Sequence, residues 1–464
     1  MPTTRNHFVA ILFVALSVSR IVAQPVLSDE PGTAKSSGPP PLAIEAAVAV
    51  TPPASPIADA AVKPAPVAGW DDLFFLRSPD KRFSLRFTGQ LQADYRDFLA
   101  PTDKTDLDQF LVRRARIGLE SVLFKNYEFR FLTDFGQAQT RLVDGYMNVR
   151  YWDEVQFTFG KFKQPFSYEQ LSQDRFTPFL ERSLIDQLVP ARDVGVMIQG
   201  QNVFDGLFDY GVAGSNGVQN GDADTNGAKD FTARVAVRPF AWQKGTALER
   251  LQLGAGVNFG NQFEPINPQT LRTPASVPFF QFNRSVIADG RRTRWSPEVV
   301  YFVGPLGFAA QYFRMDQRMR PSAMGTGSKF DINIPFEGFY FQATYLLTGE
   351  ERTGYSQAID PKRPFDPHRK TFGTGAWELV GRVSRLRVGE VVFDPGLVQL
   401  ADPTAVSNSA TEMTLGFNWY LNKWVRMQFN YEHAWFGRAV RLGPGPQGLF
   451  RDQESIQTRL QFIF

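Results

Sequence analysis

Arginines at two-residue spacing are the most chemically suggestive feature of this 464-residue chain. Arg114 and Arg116 lie in the run Arg113-Arg114-Ala115-Arg116, and Arg234 and Arg238 flank a later apolar stretch. A guanidinium group keeps its charge at any ordinary pH and forks onto oxyanions. Such rows suit an anion path, a salt-bridged wall or a nucleic-acid surface. The last is disfavoured, because 50 basic and 47 acidic residues leave a net charge of only +3, spread along the chain rather than gathered in blocks.

Other chemistries fare worse. Cysteine is absent, which removes disulfides, thiolate metal ligands and thiol nucleophiles. A Ser–His system needs a placed histidine. The chain has 3. His7 falls in an N-terminal apolar stretch, His368 in a Pro-rich link, and His433 shares parity with Phe429 and Tyr431 on an apolar face. No enzyme, cofactor or metal site is expected. Asp222-Ala223-Asp224-Thr225-Asn226-Gly227 copies the first half of a calcium loop, but its twelfth position is Ala233 rather than Glu, and an Asn/Asp/Gly turn explains it as well. Asp134-Phe135-Gly136 matches the kinase metal tripeptide without the other kinase motifs.

The elements that position the arginines are strands. From residue 82 onward the dominant period is two. Phe83, Leu85, Phe87, Leu91, Ala93 and Tyr95 alternate with Ser84, Arg86, Thr88, Gln92, Asp94 and Arg96. The pattern recurs in about sixteen segments of roughly ten residues, long enough to cross a bilayer as tilted strands. Strands in a soluble sandwich run nearer five or six residues. Short links such as Phe124-Lys125-Asn126 and Gly304-Pro305 alternate with long ones near 163–193, 261–291, 317–335 and 389–409. One link, 349–373, is long where a short turn is due. With 43 Phe, 38 Gly and 32 Pro, and a mean hydropathy of −0.25, the chain reads as all-β: a transmembrane antiparallel β-barrel of sixteen strands, not a helical bundle. The barrel is expected to occupy 70–464.

Ahead of it, Arg5 and the apolar run Phe8 to Val18 read as a signal peptide ending at Ala23. Residues 24–69 hold 10 prolines and read as a disordered Pro/Ala-rich linker. Arg459 to Phe464 (RLQFIF) form a closing strand with an aromatic terminus.

Several stretches resemble the phosphate-selective porin O and P family of Gram-negative outer membranes. They are Gly89–Tyr95 (GQLQADY), Arg113–Glu120 (RRARIGLE), Glu181–Leu184 (ERSL), Thr348–Glu350 (TGE), Gly375–Leu379 (GAWEL) and Thr414–Asn422 (TLGFNWYLN), in the family's order. The resemblance implies a homotrimeric sixteen-stranded porin in outer-membrane lipid that passes small anions such as phosphate. It also implies a third loop, here 163–193, that folds inward and narrows the pore, and a long connection after the Thr-Gly-Glu motif. The terminal Phe464 resembles the signal read by the outer-membrane assembly machinery. Gln170 stands where family members selective for phosphate place a lysine, and Gln90 stands where an Arg often begins the family's first-strand motif.

Assigning each strand's polar parity to the lumen turns inward Arg86, Arg114, Arg116, Arg130, Arg150 and Arg234, among about a dozen arginines against about nine carboxylates. The third loop adds Lys163, Arg175, Arg182 and Arg192. These ten residues are the expected anion path, since fixed charge on a narrow wall sorts ions by sign. The alternatives are a non-selective general porin and a non-conducting structural barrel.

Overall fold

The computed structural model describes residues 67–464, apart from 72, 101, 103–107, 219–223, 225, 264, 324–330, 369–371 and 395–398. The signal peptide and nearly all of the Pro/Ala-rich linker lie outside the described residues.

Alternation becomes strand wherever it was read. A hairpin of β1 (Ala68–Asp71) and β2 (Leu73–Arg77) precedes β3 (Ser84–Phe98), β4 (Gln109–Leu123), β5 (Tyr127–Asp134), β6 (Arg141–Val149) and β7 (Gln156–Lys163). After a long loop come β8 (Arg192–Asn202), β9 (Phe208–Ser215), β10 (Asp230–Val237) and β11 (Gln252–Gln262). A two-stranded excursion, β12 (Thr270–Arg272) and β13 (Pro278–Gln281), leads to β14 (Val286–Val303), β15 (Leu306–Pro321) and β16 (Ile332–Leu346). The chain finishes with β17 (Ala376–Val388), β18 (Ser409–Tyr420), β19 (Val425–Arg441) and β20 (Leu449–Ile463).

Sixteen of these strands, β3–β11 and β14–β20, close an antiparallel barrel in which β20 pairs β3 from Ser455↔Phe98 to Ile463↔Gln90. Below that point β2 takes over the free edge of β3, with Phe75 opposite Arg86. Strand therefore begins at Ala68, two residues before the expected start of the barrel at Trp70. Closure leaves no long edge for another chain to pair with.

The burial pattern is inverted relative to a soluble protein. Outward side chains are apolar and exposed, including Phe129, Phe131, Phe157, Phe159, Val196 and Ile198. Inward ones are polar and buried, including Gln92, Thr414, Asn418 and Gln428. Only a wall with lipid outside is stabilised by that arrangement. Aromatic rings mark the short-turn rim: Trp377 stacks on Trp419 with centroids 5.2 Å apart, and Trp70 meets Trp424 edge-on at 5.6 Å. The turns there are tight. Phe124 and Lys125 both sit in the left-handed region, at φ 51° and 70°.

The wall is uneven. Strands β5, β7, β9 and β10 have 8 residues each, whereas β14, β15 and β19 have 18, 16 and 17. The tall side encloses an apolar plug. Only the third long loop was expected to turn inward, but the links after β11 and β17 do so as well. Leu271, Phe279, Phe280 and Phe282 pack with Ile185 and Leu188 of the third loop, with Val392 and Leu400, and with inward Met315, Phe336 and Val388 of the wall. Backbone bonds tie the loops together: the Ser407 N–H donates to the Phe279 carbonyl at 2.8 Å, and the Asn283 N–H to the Leu400 carbonyl at 2.8 Å.

The anomalous link 349–373 also enters the barrel, from the short-turn side. Arg352 is fully buried against Glu378, and the Tyr355 N–H donates to Tyr168 Oη at 2.9 Å.

Candidate functional site: a charged passage beside the inward loop

The third loop spans the lumen because both walls grip it. A one-turn helix α1 (Tyr168–Leu171) starts at Ser167, whose hydroxyl accepts from the Gln170 N–H. Glu298 of β14 accepts from the Tyr168 N–H at 2.7 Å. Further along, side chains of the opposite wall hold the loop's carbonyls. Gln461 donates to Arg175 O at 2.9 Å, Asn418 to Pro178 O at 2.9 Å, Arg459 to Leu180 O at 2.5 Å, and Arg382 to Glu181 O at 2.8 Å.

Two loop carboxylates complete the anchor. Pairing of β3 with β4 jumps from Gln92↔Arg114 to Ala93↔Val112, so Arg113 is an extra residue in a β-bulge. The bulge turns Arg113 and Arg114 to the same side. Arg113 grips Glu181 through Nε at 2.8 Å and Nη2 at 3.1 Å, while Arg114 Nη2 reaches it at 3.0 Å and Arg459 Nη2 at 2.9 Å. Asp174 is held by Arg116 at 2.5 Å and by Arg182. Burial pushes the Glu181 carboxyl up, but Arg113, Arg114, Arg459 and Arg96 outweigh it and hold the group well below the usual carboxylate range. At Asp174 burial is likewise overcome by Arg182, Arg116 and Arg114.

This anchoring leaves open space to one side of the loop. Beside the loop, against β3–β10, lies a cavity of about 500 Å³. Seven cationic side chains line it: Arg116, Arg130, Arg150, Lys163, Arg175, Arg192 and Arg234. Four carboxylates face them: Glu128, Asp144, Asp174 and Asp209. A second cavity of about 370 Å³ lies toward the short-turn rim, where Arg238 and Arg250 meet Tyr168 and Glu249. Arg234 of β10 borders the first cavity, and Arg238, one residue past the end of that strand, borders the second.

Most of the lining cations are already paired. Arg130 and Arg192 share Asp144 at 3.2 and 2.6 Å, Arg150 meets Glu128 at 3.1 Å, and Arg234 meets Glu298 at 2.5 Å. Lys163 and Arg175 differ, since among the described residues neither has a carboxylate within ion-pair reach. Lys163 Nζ donates to the carbonyls of Leu171 at 3.2 Å and Ser172 at 2.6 Å. Arg175 donates to Thr88 Oγ1 at 2.6 Å and to Gln173 Oε1 at 2.8 Å. Burial lowers the Arg175 guanidinium to about 10, which leaves it charged at neutral pH.

Of the ten residues expected from the sequence, the structure brings these seven together. Arg114 and Arg182 belong to the loop anchor instead. Arg86 is exposed at the lower end of β3 and borders neither cavity. Strict alternation hides the inward turn of Arg113, and only its place beside Arg114 and Arg116 hinted at it. Gln170 is buried within α1 and does not line the cavity.

Of the calcium-like motif, Asp222, Ala223 and Thr225 lie outside the described residues. The Asp224 carboxylate caps the N–H groups of Asn226 at 3.1 Å and Gly227 at 3.2 Å and pairs with Lys229, as a turn requires. Asp134 binds Arg116 at 2.9 Å. His433 lies on the outer wall, stacked on Trp435 at 4.0 Å, with Asp452 and Glu454 at 3.1 and 3.2 Å.

Comparisons with known proteins agree with this geometry. The family model for phosphate-selective porin O and P matches residues 85–464. Porin O of Pseudomonas aeruginosa is 24% identical over 418 residues, covering 83% of this chain and 89% of that one. Among solved structures, OmpT of Vibrio cholerae superposes with a TM-score of 0.50 at 11% identity, covering 82% of this chain and 98% of that one. OmpF of Salmonella typhi gives 0.48 at 12% identity, over 82% and 98%.

Proposed function

The chain belongs to the phosphate-selective porin O and P family of outer-membrane channels, and from that premise we propose that it passes small anions, phosphate among them, by diffusion through the passage beside its third loop. It is a channel and not an enzyme. The observation that supports the selectivity is the excess of cations over carboxylates around the 500 Å³ cavity, with Lys163 and Arg175 outside any ion pair with a described residue. In a narrow passage with low-dielectric walls, fixed charge of one sign concentrates ions of the other. The Lys163 side-chain nitrogen and the Arg175 guanidinium offer N–H donors suited to phosphate or other oxyanions.

The same reading includes a homotrimer in outer-membrane lipid, with residues 1–23 as export signal, 24–69 as a linker, and Phe464 offered to the assembly machinery. A general porin of weak selectivity is the second reading. It is favoured by the pairing of five of the seven lining cations with carboxylates. Titrating phosphate into a chloride-carrying single channel separates the two. Concentration-dependent block supports a phosphate-binding passage, and chloride current indifferent to phosphate supports the general porin. Native mass spectrometry in detergent reads the subunit count.

A further inference from the structure

A lipid-facing strand wall carries charge only at a cost unless the charge reaches the headgroup layer. On β17 the outward residues run Trp377, Leu379, Gly381 and Val383, and then change to Arg385 and Arg387, both exposed. From Trp377 in the lower aromatic rim to Arg385 is eight residues, about 27 Å along the strand. With the tilt removed, this is about 20 Å of height, close to the apolar band of about 25 Å. Arg385 therefore emerges at the upper boundary of the band, on the long-loop side.

Neighbouring strands do the same. Above outward Phe339 and Tyr312 stand Glu337 of β16 and Arg314 of β15, and above Trp295 of β14 stands Arg291. Arg314 pairs with Asp316 at 3.1 Å and Glu337 at 3.4 Å, Arg387 with Glu337 at 3.9 Å, and Arg318 with Asp331 at 3.1 Å. Higher still, Arg320 and Asp289 pair with each other. Arg291 and Arg385 are different. Both are exposed, and neither makes an ion pair or side-chain hydrogen bond with a described residue. Two extra residues in β14 between Ala288 and Arg292 break its pairing with β15 beside Arg291, and a bulge re-aims side chains in this way.

We propose that the outward face of β14–β17, just above the apolar band, binds the phosphorylated headgroup of an outer-leaflet lipid, with Arg291 and Arg385 as the principal phosphate ligands. Each is a five-donor fork matched to phosphate oxygens. The continuous apolar wall beneath them takes the acyl chains, so one molecule satisfies both halves of the surface.

The inference rests on the chain lying in the outer membrane, not on what the pore passes. The test uses the full-length protein in nanodiscs containing either lipid A with its phosphates or the same lipid dephosphorylated. Bound copies are counted by native mass spectrometry after release. The wild type is expected to retain the phosphorylated lipid preferentially. Arg291→Gln/Arg385→Gln is expected to lose most of that preference, at about fivefold for each arginine, with single-channel conductance unchanged. Should the double variant fail to fold, each single variant is read in the same way. Equal retention of the two lipids by the wild type, or an undiminished preference in the variants, overturns the proposal. Conductance of the same preparations reports separately on the porin reading.

Discussion

The terminal ring of Phe464 lies over Gly89, and the two residues join the ends of the barrel. The Gly89 N–H donates to the Phe464 carbonyl at 2.7 Å, and the Phe464 N–H returns to the Gly89 carbonyl at 3.1 Å. A Cβ at position 89 would fall 2.0 Å from the ring's Cζ, so the glycine is required by close approach. Gly89→Val is predicted to destabilise closure by about 1–3 kcal/mol, the usual cost of overpacking. Heat-modifiability on gels reads this as a lower unfolding temperature. Pairing it with Phe464→Ala should be less damaging than the sum of the single changes, because the clash disappears.

Glu181 is the carboxylate on which Arg113, Arg114, Arg459 and Arg96 converge, and among the described residues it is the one carboxylate that pairs with Arg113, whereas Asp94 and Asp174 also reach the other three. Glu181→Gln is predicted to cost on the order of 3–5 kcal/mol in loop anchoring, as breaking one partner of a buried ionic cluster does. The expected readout is flickering single-channel current and faster proteolysis within 164–191, with the barrel still heat-modifiable. A quiet channel of wild-type conductance would remove Glu181 from the anchor.

The same carboxylates set an acid limit. The folded-state values of Glu181 and Asp174 lie well below their ordinary 4.5 and 3.8. Their contribution is therefore present above those ordinary values and is lost as pH falls through the folded ones. Wild-type current should stay quiet from neutrality to about pH 4.5 and begin to flicker only in stronger acid. Current recorded across that range checks it, and flicker near pH 6 would contradict it.

Asp186 behaves oppositely. Burial pushes its carboxyl up to about 7, against the opposing pull of Arg182 at 3.7 Å. A raised folded value makes this group's contribution greatest below the ordinary 3.8 and lost as pH rises through about 7. Asp186→Asn should therefore raise the unfolding temperature at pH 8 and leave it nearly unchanged at pH 4. Equal effects at both values would mean that Asp186 is not desolvated.

Asp144 is shared by Arg130 and Arg192 on the cavity wall. Asp144→Asn removes a negative charge from the passage and releases the Arg192 guanidinium, while Arg130 keeps its second partner, Glu120. The anion-to-cation permeability ratio is predicted to rise by roughly twofold or more, measured as a reversal-potential shift in a salt gradient.

Much of this architecture was legible in the sequence because a lipid-facing wall enforces strict alternation. Phe129 and Phe131 against Glu128 and Arg130 leave little choice of register, and a one-residue slip would put Arg130 into lipid. Less visible was whatever breaks the period. The bulge at Arg113 turns two successive arginines inward, which alternation forbids. The inward fold of Leu271, Phe279, Phe280 and Phe282 was hidden too, since a short apolar run in a loop carries no period to show which surface it covers. Parity pointed the wall arginines toward the lumen, but it could not show that Arg114 pairs with Glu181 while Arg175 forms no ion pair with a described residue. Those pairings depend on the path of the loop.

The central claim is that Lys163 and Arg175 give the passage its sign. Reversal potentials of the wild type and of Lys163→Gln/Arg175→Gln, measured in a planar bilayer under a potassium chloride gradient, test it most directly. An anion-signed potential in the wild type that moves toward the cation side in the double variant, at similar conductance, is the predicted result. A cation-signed wild type, or a potential that ignores both substitutions, would contradict it.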